Sequence, residues 1–61
     1  MKPSWKDAPE WAQWLAMDKA GNWFWFQREP EVMPDGMLRR NFGLQIFAGE
    51  TIGQVILEPR P

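Results

Sequence analysis

Few side chains in this sequence could do covalent or acid–base chemistry, and their types set limits at once. The 61 residues include no histidine, cysteine or tyrosine. The commonest general base, the thiol nucleophile and the usual transition-metal ligands are therefore missing. A serine nucleophile would have to be Ser4, which has no base near it in sequence. Glu29 and Glu31 flank Pro30 and invite a paired-carboxylate reading, but two solvated charges on a loop is the far commoner arrangement. Asp18 and Asp35 lack the spacing of a calcium loop, and Asp18 is better explained by a turn. Gly36, Gly43, Gly49 and Gly53 are scattered rather than gathered into a phosphate-binding loop. The expectation is a protein that is not an enzyme and holds no cofactor or metal.

What the chain has in quantity is ring surface. Five tryptophans and four phenylalanines make up 15% of it, and each large ring can bury roughly 150–250 Å². That points to recognition rather than catalysis. The candidate partner-binding residues are Trp23, Trp25, Phe24 and Phe26, with Arg28, Arg39 and Arg40 as a polar rim. The anchors would be whichever pair, Trp23 with Trp25 or Phe24 with Phe26, the fold leaves exposed.

The elements that must position these rings follow from length and spacing. A chain of 61 residues allows one domain and buries only about 60% of the surface that its unfolded form exposes. Disulfides are excluded, so the rings or self-association must do the work of a staple. Two readings of residues 8–19 compete. Asp7-Ala8-Pro9-Glu10 suits a helix start, with Trp11, Trp14 and Leu15 at helical spacing. Alternatively, Asp18-Lys19-Ala20-Gly21 suits a type I turn closed by a left-handed glycine and followed by a bulge. The strand Asn22-Trp23-Phe24-Trp25-Phe26-Gln27 needs a partner, and the preceding segment is the nearest one. The sequence favours a short helical turn near 8–12, then a strand over 13–18. Asp18 then faces Asn22, Met17 faces Trp23, Ala16 faces Phe24, Leu15 faces Trp25 and Trp14 faces Phe26.

Residues 29–36 read as a loop whose two prolines preclude a central strand, with a turn at Pro34-Asp35-Gly36 and a short strand at Met37-Leu38-Arg39-Arg40. Gly49-Glu50 suits the centre of a type II′ turn. The predicted second hairpin pairs Phe47 with Ile52, Ile46 with Gly53, Gln45 with Gln54, Leu44 with Val55, Gly43 with Ile56 and Phe42 with Leu57. Its core face would hold Phe42, Leu44, Ile46, Val55 and Leu57. Residues 1–7 and 58–61 are expected to be loose, because Glu58-Pro59-Arg60-Pro61 cannot continue a sheet. The predicted fold is small and β-rich: two hairpins in a curled sheet or partly open barrel, with an N-terminal turn or short helix.

One feature of the first hairpin asks for an explanation. Leu15, Met17, Trp23 and Trp25 fall on one face, and Trp14, Ala16, Phe24 and Phe26 on the other. A half-buried strand should alternate apolar and polar, yet both faces are apolar. Either the N-terminal segment with Trp5 and Trp11 wraps one face, or a face is an exposed binding patch, or it meets a second copy of the chain.

Net charge is −1, which argues against a general phosphate-backbone binder. A single-strand binder stacking bases on Trp23 and Trp25 beside Lys19, Arg28, Arg39 and Arg40 is the less favoured alternative. Trp23-Phe24-Trp25-Phe26 is too short to span a bilayer, and the N-terminus lacks the apolar stretch of a signal peptide. A soluble cytoplasmic protein without membrane partners is expected.

The stretch from Trp11 to Pro30, WAQWLAMDKAGNWFWFQREP, resembles a pattern in short accessory proteins of tailed bacteriophages and prophages. Leu15, Ala16, Asp18, Gly21, Trp23, Trp25, Phe26 and Pro30 carry the resemblance. It implies a phage-derived protein in a bacterial cytoplasm that binds a host or phage protein and changes its activity. It also favours the strand reading over the helix, and it carries over no catalytic residues.

Overall fold

The computed structural model describes residues 2–51 and 55–61. It is a small β-rich fold with two antiparallel sheets and almost no helix. The strands are β1 (Trp14–Met17), β2 (Asn22–Phe26), β3 (Glu31–Val32), β4 (Leu38–Arg39), β5 (Gln45–Glu50) and β6 (Ile56–Pro59). The larger sheet has four strands in the order β5-β2-β1-β6, and β3 pairs with β4 in a second, two-stranded sheet. Among the described residues β5 and β6 do not pair, so the sheet is not closed into a barrel.

The first hairpin forms in the predicted register. Trp14 faces Phe26, Leu15 faces Trp25, Ala16 faces Phe24 and Met17 faces Trp23. Its turn is built by local chemistry. The Gly21 N–H donates to the Asp18 carbonyl at 3.0 Å, and the Asn22 N–H donates to the Asp18 carboxylate at 3.0 Å. Gly21 has φ +89°. A side chain there would meet the Thr51 carbonyl oxygen, because the Thr51 N–H donates to the Gly21 carbonyl at 2.7 Å. So glycine is required twice, once by the turn and once by the close approach of the chain leaving β5. The second hairpin in the structure is β3–β4, turned at Pro34-Asp35-Gly36. It is tied to the first turn by the Lys19 N–H, which donates to the Gly36 carbonyl at 2.9 Å.

Three expectations are corrected. The predicted pairing of residues 42–47 with 52–57 does not form where it is described: β5 pairs with β2, and β6 pairs with β1 on the opposite edge. The expected pairs Leu44–Val55, Gly43–Ile56 and Phe42–Leu57 are thus absent, and those involving Ile52, Gly53 and Gln54 lie outside the described residues. The physical reason is that β1–β2 has two free edges beside a large apolar surface, which outcompetes one local turn preference. Second, Glu58 and Pro59 do continue the sheet, opposite Leu15 and Trp14. The Arg60 N–H donates to the Gln13 carbonyl, so by alternation the nitrogen of Pro59 points off the edge, where a missing donor costs nothing. Third, the helical turn lies at Trp5–Asp7 rather than at 8–12. Residues 9–12 form a turn closed by the Ala12 N–H on the Pro9 carbonyl.

The N-terminal segment covers one face of the hairpin. Ala12, Leu15, Met17, Trp23 and Trp25 form the core cluster, and Trp5, Ala8, Trp11 and Ala48 pack against it. Trp5 and Trp25 are tilted rings 4.9 Å apart. The two ends are then locked together. Trp5 Nε1 donates to Glu58 at 2.7 Å, Lys2 forms an ion pair with Glu58, and the Arg60 guanidinium lies over the Trp5 ring. Arg60 also donates to the carbonyls of Pro9 and Ala12. The Trp23 indole N–H is buried and has no acceptor among the described residues. On the opposite face Ala16 and Phe26 are fully buried.

Two outcomes test this arrangement. Gly21→Ala should lower stability by about 2–4 kcal/mol through backbone strain and displacement of Thr51, read as a lower urea midpoint of tryptophan fluorescence; an unchanged midpoint contradicts the close approach. The hydrogen bond from Lys2, then that from Trp5, hold the Glu58 carboxyl below its ordinary 4.5, against the desolvation that raises it. Its folded value is depressed, so its contribution is present above the unfolded value and lost as pH falls through the folded one. The urea midpoint should therefore fall on acidification below about 4.5, and Glu58→Gln should lack that part of the fall.

Candidate functional site

The predicted anchors divide. Trp23 and Trp25 are 2% and 5% exposed and Phe26 is fully buried. These rings are core, and a partner cannot reach them without opening the sheet. The expectation of a tryptophan-centred anchor is therefore corrected, because the N-terminal segment covers that face. Phe24 is half-buried. Its ring meets Phe26 at 6.0 Å and Phe47 edge-on at 5.7 Å. It forms the inner margin of an exposed aromatic cluster rather than the cluster itself.

The most exposed large apolar side chains among the described residues lie in β5 and the segment leading into it. Phe42 is 84% exposed and Phe47 56%, and Leu44 and Ile46 are each half exposed. Sequence reasoning assigned Phe42, Leu44 and Ile46 to a core face and did not single out Phe47. With β5 at the edge of the sheet, that assignment fails. Register separates the side chains. Phe47 lies opposite Phe24 and so on its face, whereas Ile46 lies opposite Trp25 on the covered face. The register shifts between Trp23 and Phe24, which leaves Ala48 as the extra, unpaired residue of β5, and Ala48 packs against the core.

Phe42 has φ +59°, the only non-glycine residue at positive φ among those described, and Gly43 follows at +83°. A left-handed conformation costs a β-carbon-bearing residue roughly 1–2 kcal/mol. The loop is held in that shape by the Gln27 side chain, which accepts from the Leu44 N–H at 3.0 Å, and by the Gln27 N–H, which donates to the Leu44 carbonyl at 2.9 Å. A rigid sheet thus presents a hydrophobic ring on a strained tip. Backbone strain of this kind concentrates at functional sites.

The arginines sit beside it. Arg39, Arg40, Asn41, Phe42 and Glu31 line an open depression of about 370 Å³. Arg39 ends β4 and lies 3.9 Å from Glu31 with both side chains exposed, a contact worth little. Arg40 and Arg28 are exposed. The structure thus brings Arg39 and Arg40 to Phe42, and not to Trp23 or Trp25. Among the described residues no group of three or more acidic, histidine or cysteine side chains could hold a metal ion, and no helix is long and apolar enough to cross a membrane. The chain matches no family model, and no curated protein or solved structure is significantly similar to it.

The Phe42 ring contributes little packing, so Phe42→Asn should leave stability unchanged or raise it by up to about 1 kcal/mol, since asparagine tolerates the left-handed region. A loss of more than about 1 kcal/mol in urea unfolding would mean that the ring packs and is not free for a partner.

Proposed function

We propose that this chain is a small non-enzymatic interaction protein that binds and modulates a protein partner through the surface formed by Phe42, Phe47, Arg39 and Arg40. The observation that carries the reading is Phe42: a large ring, exposed, on a strained backbone, between two arginines and an exposed edge strand. A protein that needed this position only for stability would do better with asparagine or glycine. Aromatic rings and arginine are the residues that most often dominate binding energy at protein interfaces. Phe24 supports Phe47 edge-on, which fixes the second ring before binding and lowers the cost of ordering it.

We further propose that the chain derives from a tailed bacteriophage or prophage and acts in a bacterial cytoplasm on a host or phage protein. The pattern from Trp11 to Pro30 supports this origin. Its residues are those of the turn and core, so it speaks to ancestry and not to the binding surface.

The test uses the wild-type chain on a column against bacterial lysate, beside a Phe42→Ser/Phe47→Ser variant. The retained protein is then purified and titrated with both. The variant should bind at least about tenfold more weakly, a loss of ~1.4 kcal/mol or more. Equal affinity of the two forms contradicts the reading. A single-stranded nucleic acid would use the same platform by stacking a base on Phe42 beside Arg39 and Arg40. Glu31 in the depression and the net charge of −1 oppose it, so a labelled oligonucleotide should show no binding even at low salt. Tight low-salt binding that is lost in the variant would transfer the surface to nucleic acid.

A further inference from the structure

The two edges of the four-stranded sheet are treated very differently. At β6 the edge carries Pro59, whose nitrogen points outward with no hydrogen to donate, and Glu58 beside it is engaged by Lys2 and Trp5. Proline and charge are the usual means of keeping an edge strand from pairing with another chain. At β5 the sequence Gln45-Ile46-Phe47-Ala48 has neither proline nor charge. Just beyond the paired ends of β2 and β5 the Gln27 N–H donates to the Leu44 carbonyl, so by alternation Gln45 and Phe47 turn their N–H and C=O groups away from the sheet. Those groups have no strand partner among the described residues. Leu44, Ile46 and Phe47 stand half exposed along the same edge.

We infer that the β5 edge pairs with the β5 edge of a second copy of this chain, antiparallel and about a two-fold axis through Ile46. Gln45 of each copy then exchanges hydrogen bonds with Phe47 of the other. The two Ile46 side chains meet on one face, and Leu44 approaches Ala48 of the other copy beside them. Charge selects this occupant and this direction. The basic pair Arg39-Arg40 precedes β5, and Glu50 ends it. An antiparallel copy brings Glu50 of each chain toward the arginines of the other, whereas a parallel copy would set like charges together. A two-fold pairing uses the β5 edge of both chains, and Pro59 disfavours strand addition at β6, so the assembly closes at two chains and does not grow into a fibre. The interface goes beyond the partner reading and leaves the Phe47 face open, since the two-fold runs perpendicular to the sheet and sets both Phe47 rings on one side.

Sedimentation equilibrium of the full chain across a concentration series, with amide hydrogen exchange at each end of the series, tests this. The mass should rise from 7.2 kDa to twice that value and stop. The Gln45 and Phe47 amides should gain about tenfold protection or more as it does so, while the Asp18 amide, already bonded within the hairpin, stays constant. Ile46→Lys should remain monomeric at every concentration with native tryptophan fluorescence. Gln45→Pro, which removes a donor the monomer leaves unused, should do the same and guards against a folding defect in the first variant. A wild-type chain that stays monomeric at its highest soluble concentration, a mass that grows without limit, or a dimer that survives both substitutions overturns the inference. Partner affinity in the Phe42→Ser/Phe47→Ser variant is read separately, so each proposal can fail alone.

Discussion

The register of the first hairpin dictates what every other segment must do. Once Trp14 lies opposite Phe26 and Met17 opposite Trp23, both faces of β1–β2 are apolar and both edges are open. Neither can be left to water in so small a protein. The N-terminal segment lays Trp5, Ala8 and Trp11 on the face that holds Trp23 and Trp25. β5 and β6 take one edge each. The tail is recruited to hold the cover down, with Glu58 and Arg60 both engaging Trp5. In a domain without disulfides, this long-range clasp of the two chain ends does the work of a staple.

The same economy explains where apolar surface remains. Trp23 and Trp25 on β2 are enclosed by a strand on each side and by the N-terminal cover, whereas Phe24 on the other face is half-buried. Rings placed on β5 have a neighbour on one side only, so Phe47 leans on Phe24 and otherwise faces solvent. Phe42 precedes the strand on a tip whose backbone is held by Gln27, and none of the described residues covers its ring. The surplus of ring surface thus lies at the edge of the sheet, not at its centre. That position suits recognition: an edge ring can be desolvated by a partner without disturbing the core, and the four-stranded sheet keeps it in place.

Parts of this were legible in the sequence for physical reasons. The β1–β2 register follows from local turn chemistry, because Asp18, Gly21 and Asn22 each satisfy one demand of a single turn. The β-rich class, the apolar two-sided hairpin and the turn at Pro34-Asp35-Gly36 were readable in the same way. The pairing of β5 and β6 was not. Gly49-Glu50 suits a tight turn, but a turn preference worth a fraction of a kcal/mol cannot compete with docking each segment on a wide apolar sheet. The place of the tail in the sheet is not legible either, because proline excludes a central strand and not an outward-facing edge position. The exposed rings depend on the same pairing. If residues 42–47 formed a hairpin with 52–57, then Phe42, Leu44 and Ile46 would be core and the tryptophans in surplus. The one available signal was Phe42-Gly43 after two arginines, a large ring beside a glycine at the start of a strand.

The tryptophans of β2 are enclosed, while the rings of Phe42 and Phe47 are open to solvent. Hydroxyl-radical footprinting of the dilute chain, read residue by residue, tests this most directly. Phe42 and Phe47 should be oxidised much faster than Trp23, Trp25 and Phe26, although indole is intrinsically the more reactive ring. Oxidation of Trp23 and Trp25 at the rate of free tryptophan, with Phe42 and Phe47 protected, would contradict the account.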